Sequence, residues 1–233
     1  MKILITGASK GIGKAIFEEL SSSNFVYITG RNAEVLKSMN AKGCFVCDLA
    51  GNIDELLDYI KVTKFDCIIN NAGEYIYGAI DAMTDDTISH IYKTNLIAPV
   101  KIISSAVPYM KRQKFGRIVN IGSISGVMGE ANASLYSSTK SGLIGLTKAL
   151  ALELAEFEIT INTINPGWVD TELGNKSIEV GNFTKDEIME CIPQHRFVSP
   201  HEVACMVKYL LSNDAKSITG QSINICAGLS VGI

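Results

Sequence analysis

The chain has 233 residues, of which 47% are apolar and 19% charged, a balance that is typical of a packed globular protein and argues against long disordered segments. Its net charge of −3 and isoelectric point of about 5.7 provide no basic field for a phosphate backbone, so we expect no nucleic-acid partner. The chain opens on MKILITG without a leader pattern and has no apolar run of the ~18 residues that a membrane helix needs. We therefore expect a cytoplasmic protein with no membrane partner.

Short apolar runs rich in Ile and Val alternate with longer amphipathic segments, a pattern that favours parallel βαβ units and an α/β fold. The predicted strands are residues 2–6, 25–29, 43–47, 66–70, 116–121, 159–164 and 222–225. The predicted helices are residues 12–22, 33–40, 52–61, 84–111, 135–157 and 200–211. Because no repeat, low-complexity segment or linker divides the chain, we predict one domain over residues 1–233.

The turn between the first predicted strand and the first predicted helix reads TGASKGIG, residues 6–13. Glycines here let the backbone turn tightly and approach a pyrophosphate, while the N-terminus of the following helix supplies amide donors. A Gly-rich turn can also be purely structural, but its position between a strand and a helix favours nucleotide binding. The predicted dinucleotide contacts in this turn are Gly7, Ser9, Lys10, Gly11, Ile12 and Gly13.

The end of the second predicted strand carries Arg31, where a cofactor without a 2′-phosphate usually meets a carboxylate. Arg31, helped by Lys10 and Ser9, is suited to bind a 2′-phosphate, so the sequence favours NADP(H) over NAD(H). The alternative is that both cations are ordinary solvated side chains. Asp48, just after the third predicted strand, is placed either to accept a hydrogen bond from the adenine amino group or to cap a turn.

Cys44 and Cys47 have the C-x-x-C spacing of many metal sites, but they fall on a predicted strand, where residues three apart point to opposite faces. The three histidines, His90, His195 and His201, show no ligand spacing. We therefore predict no metal site and no disulfide. The cysteines are expected to be buried as small hydrophobic side chains; they are Cys44, Cys47, Cys67, Cys191, Cys205 and Cys226.

Tyr136 and Lys140 are four residues apart in a predicted helix and so share one face about a turn apart. An ammonium beside a phenol, together with the positive nicotinamide of an oxidised cofactor, is expected to lower the pKa of Tyr136. Tyr136 then becomes a general acid for ketone reduction and a base for alcohol oxidation. Ser123 ends the predicted strand RIVNIGS and is placed to donate to the substrate oxygen. On its spacing alone such a pair is commonly structural; the combination with the Gly-rich turn favours catalysis.

Together these motifs resemble the short-chain dehydrogenase/reductase family over nearly the whole chain. The resemblance rests on TGASKGIG at 6–13, Asp48-Leu49, Asn70-Asn71-Ala72-Gly73, Asn95, Ser123, Tyr136-x-x-x-Lys140 and Asn165-Pro166-Gly167. It implies a doubly wound Rossmann-type parallel sheet of seven strands flanked by helices, and a Ser-Tyr-Lys site completed by Asn95. It also implies cofactor contacts at Leu49, Asn71, Ala72, Gly73, Tyr136, Lys140, Pro166, Gly167, Val169 and Thr171. Members usually pair through the helices at 84–111 and 135–157, which implies a homodimer or homotetramer.

Pro99 gives Asn95 a physical role of its own. Proline lacks an N–H, so in a helix the carbonyl of Asn95, four residues back, loses its partner and is free to bind water. We predict a proton path from Tyr136 through Lys140 and a water at Asn95, the role that the resemblance implies for these residues.

Residues 168–199 form a small polar segment that follows the strand predicted to end near residue 164. Because ligands of such sheets lie beyond the carboxyl ends of the strands, we expect this segment to cover the substrate, with Trp168 nearest to it beside Ser123 and Tyr136. The apolar residues of the segment either close over the substrate or pack two short helices onto the domain. They are Trp168, Phe183, Met189, Cys191 and Ile192.

Within the family the chain is most similar to 3-oxoacyl-carrier-protein reductases, through GRIVN at 116–120 and SITGQ at 217–221. An acidic carrier protein needs a cationic surface, whereas Glu156 and Glu158 would repel it. The candidate cations are Arg117, Lys111, Arg112 and Lys114. The substrate therefore stays open among 3-oxoacyl thioesters, small ketones and sugar-derived carbonyls. The alternative function is a cofactor-binding regulator or scaffold without catalysis, which would normally show a broken Ser-Tyr-Lys set.

Overall fold

In the computed structural model, which describes residues 1–231, seven parallel strands form one sheet in the order β3-β2-β1-β4-β5-β6-β7. The strands are β1 (Lys2–Thr6), β2 (Phe25–Gly30), β3 (Gly43–Val46), β4 (Cys67–Asn70), β5 (Gly116–Ile121), β6 (Ile159–Pro166) and β7 (Ser222–Ile225). The prediction of a doubly wound parallel sheet of seven strands is confirmed, and each predicted strand boundary lies within two residues of the observed one. The last two residues of the predicted domain, 232 and 233, lie outside the described part.

Ten α-helices connect the strands over residues 1–231. They are α1 (Gly11–Ser21), α2 (Ala33–Ser38), α3 (Asp54–Thr63), α4 (Asp85–Tyr92), α5 (Ala98–Gln113), α6 (Ser125–Met128), α7 (Ser134–Leu154), α8 (Glu172–Val180), α9 (Lys185–Cys191) and α10 (Pro200–Leu211). The predicted helix at 84–111 is α4 and α5 joined by a π-helical turn, Lys93–Ile97. The predicted helix at 135–157 is α7 followed by a 3₁₀ turn, Ala155–Phe157. Helices α6, α8 and α9 are short and were not predicted from the sequence.

Helices cover both faces of the sheet. The core on one face includes side chains of α1 and α10, such as Ile16 and Val203, and the core on the other face includes Ile60 of α3 and Ile102 of α5. The central strands β4, β5 and β6 are buried along their whole length, which explains why their sequences are nearly continuous runs without alternation. Within residues 1–231, no helix combines the length and the apolar character needed to cross a bilayer.

The strand order creates a crevice at one edge of the sheet. From β1 the chain proceeds outward to β2 and β3, and then returns to the other side of β1 to form β4. Loops that leave the carboxyl ends of strands on either side of such a reversal diverge, and ligands bind between them. The Gly-rich turn follows β1, the Asn71-Ala72-Gly73 segment follows β4, and Ser123 follows β5. The fold therefore brings the sequence motifs to one place.

Candidate active site

A cleft of about 480 Å³ lies at the carboxyl edge of the sheet. Almost every predicted cofactor and substrate residue lines it. These residues are Gly7, Ser9, Lys10, Gly11, Ile12, Gly13, Arg31, Asp48, Leu49, Asn71, Ala72, Gly73, Ser123, Tyr136, Lys140, Pro166, Gly167, Trp168, Val169 and Thr171. Asn95, of the predicted set, lies behind the wall of the cleft and is 1% exposed.

The Gly-rich turn is shaped so that its backbone, with no side chain in between, borders the cleft. Gly7 and Gly11 have φ values of +67° and +53°, a region that favours glycine. A Cβ at Gly13 would overlap the carbonyl oxygen of Gly7 and the side-chain nitrogen of Asn71. Asn71 Nδ2 donates to the carbonyls of Thr6 and Gly7 at 2.9 and 3.0 Å and so fixes the turn. This is the close approach that a pyrophosphate requires, and the turn fits the predicted dinucleotide.

The two cations predicted at the adenosine end are both paired with carboxylates of other segments. Arg31 Nη1 lies 2.7 Å from Glu74 Oε1, and Lys10 Nζ lies 2.8 Å from Glu172 Oε1. Both side chains are largely exposed, so the two interpretations, binding of a 2′-phosphate or ordinary solvated cations, both stay open. Glu74 and Glu172 also line the cleft. Nothing in the sequence marked these two acids, because each is a lone carboxylate without a spacing pattern.

Asp48 shows the local contact of its capping alternative. Its Oδ1 accepts a hydrogen bond from the backbone N–H of Ala50 at 3.0 Å, while the residue also borders the cleft beside Leu49. A carboxylate has two oxygens with spare lone pairs, so the cap leaves room for a second donor. The adenine contact of Asp48 thus stays a prediction.

Tyr136, Lys140 and Ser123 meet at the centre of the cleft. Tyr136 and Lys140 stand on the first two turns of α7 and Ser123 follows β5; they are 9%, 3% and 8% exposed. Lys140 Nζ lies 5.6 Å from the centroid of the Tyr136 ring and donates to the carbonyl of Ile121 at 2.8 Å. The backbone N–H of Ser125 donates to Ser123 Oγ at 3.1 Å and holds this hydroxyl in place.

Burial dominates the electrostatics of Tyr136 and Lys140. Burial raises the pKa of Tyr136 to about 12; its hydrogen bond with Ser123 opposes that rise, and the charge of Glu130 adds to it. Burial also lowers the pKa of Lys140 to about 8. In the chain by itself burial therefore outweighs any lowering of the pKa of Tyr136 by Lys140, and the lowering predicted for Lys140 together with an oxidised nicotinamide stays a prediction. The spacing of Tyr136 and Lys140 predicts that they attract each other, but it does not reveal that both side chains lose their water on folding.

Asn95 occupies the π-helical turn between α4 and α5. Its Oδ1 accepts from the N–H of Glu74 at 2.9 Å, and its Nδ2 donates to the carbonyl of Glu74 at 2.9 Å and to Thr139 Oγ1 at 3.2 Å. A Cβ built at Gly73 would lie 3.2 Å from Lys140 Nζ and 3.5 Å from Asn95 Oδ1, so Lys140 and Asn95 both border this glycine. The side chain of Asn95 therefore ties the loop after β4 to α7.

The segment 168–199 contains α8 and α9, which begin after Thr171 and Thr184 as helix caps. Trp168 and Phe183 line the cleft, and Trp168 stacks on Phe197 with ring centroids 6.4 Å apart. Ile192 instead packs with Ile178 and Ile188 in a small separate core. Packing of the short helices is therefore observed for Ile192, whereas closure of Trp168 and Phe183 over a substrate stays a prediction. The structure shows Met189 half-buried and Cys191 exposed, outside the cleft lining.

Two further predictions, about Arg117 and about the cysteines, need correction. Arg117 is not a surface cation: it is 3% exposed, and its guanidinium donates to the carbonyls of Gly116 and Glu158 because it is folded back against the end of its strand. The cysteines are not uniformly buried: Cys67 and Cys226 are buried, Cys47 is half-buried, and the remaining three are exposed. Those exposed thiols are Cys44, Cys191 and Cys205. Cys44 is exposed because β3 is an edge strand.

One histidine does have neighbours of the ligand type. Glu19 of α1 and His201 and Cys205 of α10 bring potential donor atoms within 4.8 Å of one another. Sequence spacing does not reveal this group because Glu19 is far from His201 and Cys205 in the chain. Lys208 Nζ already lies 2.6 Å from Glu19 Oε1. This cation opposes the binding of a metal ion by that carboxylate.

Comparison with known proteins agrees with the motifs. The family model for short chain dehydrogenases matches residues 1–180. A 3-oxoacyl-acyl-carrier-protein reductase of Staphylococcus epidermidis is 34% identical over 240 aligned residues, which cover 97% of this chain and 97% of that protein. A variant of the actinorhodin polyketide ketoreductase, crystallised with NADPH, matches with a TM-score of 0.91 and 31% identity over 99% of this chain and 97% of its own. An NADPH-dependent reductase of bacilysin biosynthesis matches with a TM-score of 0.92 and 26% identity over 100% and 99% of the two chains.

The resemblance predicted from the motifs is thereby confirmed. The match to the family model extends from the Gly-rich turn to the end of α8 and so includes Ser123, Tyr136 and Lys140. The chain belongs to the short-chain dehydrogenase family and is an NAD(P)-dependent oxidoreductase that acts on carbonyl or alcohol groups.

Proposed function

We propose that this protein reduces a carbonyl compound with NADPH and that Tyr136 supplies the proton. The observation that carries the proposal is the meeting of Tyr136, Ser123 and Lys140 in the same cleft as the Gly-rich turn. Three solved or curated relatives are reductases by name, two of them associated with NADPH. Ser123, Tyr136 and Lys140 are all present, whereas a non-catalytic cofactor-binding protein would normally lack one of them.

The choice of NADP(H) is supported by charge at the adenosine end of the cleft. Arg31 and Lys10 are the cations there, and each has a carboxylate partner that is largely or partly exposed. A 2′-phosphate carries more charge than a carboxylate and offers three oxygens, so it competes well for an arginine. Ser9, which lines the same part, offers a hydroxyl donor.

The chemistry of the site follows from the protonation of its side chains. When bound, the nicotinamide cofactor supplies the hydride. Because the pKa of Tyr136 is about 12, its phenol holds a proton at neutral pH and is ready to donate to the oxygen that becomes negative. Ser123 Oγ, whose proton points to Ser125 Oγ in the chain by itself, is proposed to turn that proton to the same oxygen and stabilise its charge. Lys140, behind the phenol, stabilises the phenolate that remains after the transfer.

On the proposed substrate side the cleft is lined by Trp168 and Phe183 of the segment 168–199. Trp168 is proposed to lie against the substrate. Named relatives act on 3-oxoacyl groups attached to a carrier protein or on polyketide ketoacyl groups. For this chain, thioesters remain one candidate class beside small ketones and sugar-derived carbonyls, because Arg117 is buried and is not part of a cationic docking surface.

The direct test measures the oxidation of NADPH by its near-ultraviolet absorbance with a panel of ketones and a 3-oxoacyl thioester. Tyr136→Phe removes the proton donor and should lower kcat by roughly 10²–10⁴-fold, while NADPH binding, measured by fluorescence titration, changes little. Tyr209→Phe, at an exposed tyrosine of α10, is the matched control and should behave like the wild type. Equal activity of Tyr136→Phe and the wild type would refute the assignment of the proton donor.

A further inference from the structure

The substrate side of the cleft contains a carboxylate that the proposed reaction does not use. Glu130 lies in the loop between α6 and α7, directly after Gly129, whose φ of +79° turns the chain. The residue is half-buried and lines the same cleft as Ser123 and Tyr136. The sequence did not mark it, because a single acid in a loop has no spacing pattern.

Two short hydrogen bonds hold the Glu130 carboxylate in place. The hydroxyl of Tyr75 donates to Oε1 at 2.6 Å, and the hydroxyl of Ser125 donates to Oε2 at 2.6 Å. Both partners contact the proposed catalytic groups: Ser123 Oγ donates to Ser125 Oγ at 3.2 Å, and the Tyr75 ring packs edge-on against Tyr136 with centroids 5.1 Å apart. The carboxylate is therefore fixed in position one side chain away from Ser123 and from Tyr136.

Among residues 1–231, no lysine, arginine or histidine forms an ion pair with the Glu130 carboxylate, since those that form ion pairs within 4.0 Å do so with other acids. The same cleft is also lined by the apolar side chains of Met128, Trp168 and Phe183. A second negative charge brought close to this carboxylate is disfavoured by repulsion, whereas a hydrogen-bond donor or a positive charge is favoured.

We propose that Glu130 is a specificity residue, which selects carbonyl substrates that carry a hydroxyl or protonated amine and excludes those with a carboxylate near the carbonyl. Each carboxylate oxygen has a lone pair beyond the one used by Tyr75 or Ser125, so a substrate donor needs no rearrangement of the site. A neutral thioester is compatible with the same pocket, but the corresponding free keto acid is not. The inference rests on the proposed carbonyl reduction.

The experiment uses four cyclohexanones of one shape that carry methyl, hydroxyl, amino or carboxylate groups at the 4-position, each reduced with NADPH by the intact protein. We expect the wild type to reduce the carboxylate compound with a kcat/KM at least about tenfold below the methyl compound, and the hydroxyl and amino compounds better than the methyl compound. A preference for amine over hydroxyl indicates charge attraction, and equal values indicate hydrogen bonding; either supports the inference.

Two variants and a salt series separate the role of charge from that of shape. Glu130→Gln removes the charge but keeps the length of the side chain. It should bring the kcat/KM values of the methyl and carboxylate compounds within about threefold of each other. Asp214→Asn removes an exposed carboxylate in the 3₁₀ turn after α10 and should keep the wild-type ranking. In the wild type itself, higher ionic strength should narrow the gap between the amino and carboxylate compounds, a measurement that does not depend on the folding of a variant.

The outcomes distinguish the two proposals. If the wild type reduces the methyl and carboxylate compounds equally, or if Glu130→Gln keeps the full discrimination, Glu130 is not a specificity residue although carbonyl reduction stands. If the wild type reduces none of the four ketones and none of the ketones or the thioester of the broader panel, the proposed function itself is wrong.

Discussion

Burial, more than charge pairing, sets the protonation of the two central side chains. Tyr136 and Lys140 share one face of α7 as their spacing predicts, but each is surrounded by protein. Burial raises the pKa of Tyr136 and lowers that of Lys140, and both shifts favour the neutral side chain. The spacing of two residues in a sequence predicts that they are neighbours. It does not predict how much water their neighbourhood retains, because that depends on chain segments remote in the sequence, here Ser123 and the loop with Glu130.

Lys140 should therefore destabilise the folded protein at neutral pH. In the unfolded chain its amine keeps a proton up to its ordinary pKa of 10.5, whereas in the folded chain it does so only up to about 8. Between these values the unfolded state binds more protons, so stability rises with pH. Lys140→Met removes this cost and, after the loss of the bond to Ile121, should raise the free energy of unfolding at pH 7 by about 1–3 kcal/mol.

Urea denaturation at a series of pH values tests this expectation. The advantage of Lys140→Met over the wild type should shrink as the pH rises from about 8 towards 10.5. Lys148→Met, at an exposed position of the same helix, should show no such dependence. A stability difference for Lys140→Met that is the same at every pH would mean that the amine is not destabilised by burial.

At the scale of elements, the strands and long helices were predictable from the sequence, and the short connections were not. Runs such as KILIT and RIVNI identify strands because both faces of a central strand are buried. Helices α8 and α9 have only nine and seven residues and a mixed composition, so their periodicity is too short to recognise. The π-helical turn at Lys93–Ile97 adds one residue to a helical turn, a change that no hydrophobic period reveals.

The proton path through Asn95 stays a prediction, and the absence of an N–H at Pro99 makes it testable. The N–H of Ala98 donates to the carbonyl of Lys93, and Pro99 has no N–H to offer to the carbonyl of Asn95. Pro99→Ala supplies the missing donor, which competes with water for that carbonyl. We expect turnover to fall several-fold while the Kd for NADPH is unchanged.

Steady-state rates and cofactor titration of Pro99→Ala provide the measurement. Pro108→Ala in the same helix is the matched control, since it also restores one N–H but lies further along α5, away from Asn95. Full turnover in Pro99→Ala, or equal losses in both variants, would argue against a path through Asn95.

For the whole molecule, the cofactor cleft depends on contacts between distant segments. Arg31 after β2 meets Glu74 after β4, and Lys10 after β1 meets Glu172 of α8. The sequence identified the cations, because their place after a strand is part of a pattern. It did not identify the acids, since Glu74 and Glu172 lie in segments that only the folded sheet brings next to Arg31 and Lys10. A 2′-phosphate that binds these cations as proposed competes with two exposed ion pairs, both of which salt weakens.

This competition makes the contribution of Arg31 measurable as thermal stability. A ligand that binds the folded state raises Tm in proportion to its binding free energy, so NADP⁺ should raise Tm more than NAD⁺ at equal concentration. Arg31→Ala should reduce the NADP⁺ shift by about 3–5 °C, the value for a tenfold loss of affinity in a chain of this size, and leave the NAD⁺ shift nearly unchanged. Lys216→Ala, at an exposed lysine away from the cleft, should retain both shifts. Differential scanning fluorimetry at low and high salt would then decide the role of Arg31, because equal losses for NADP⁺ and NAD⁺ would mean that the arginine does not recognise the 2′-phosphate.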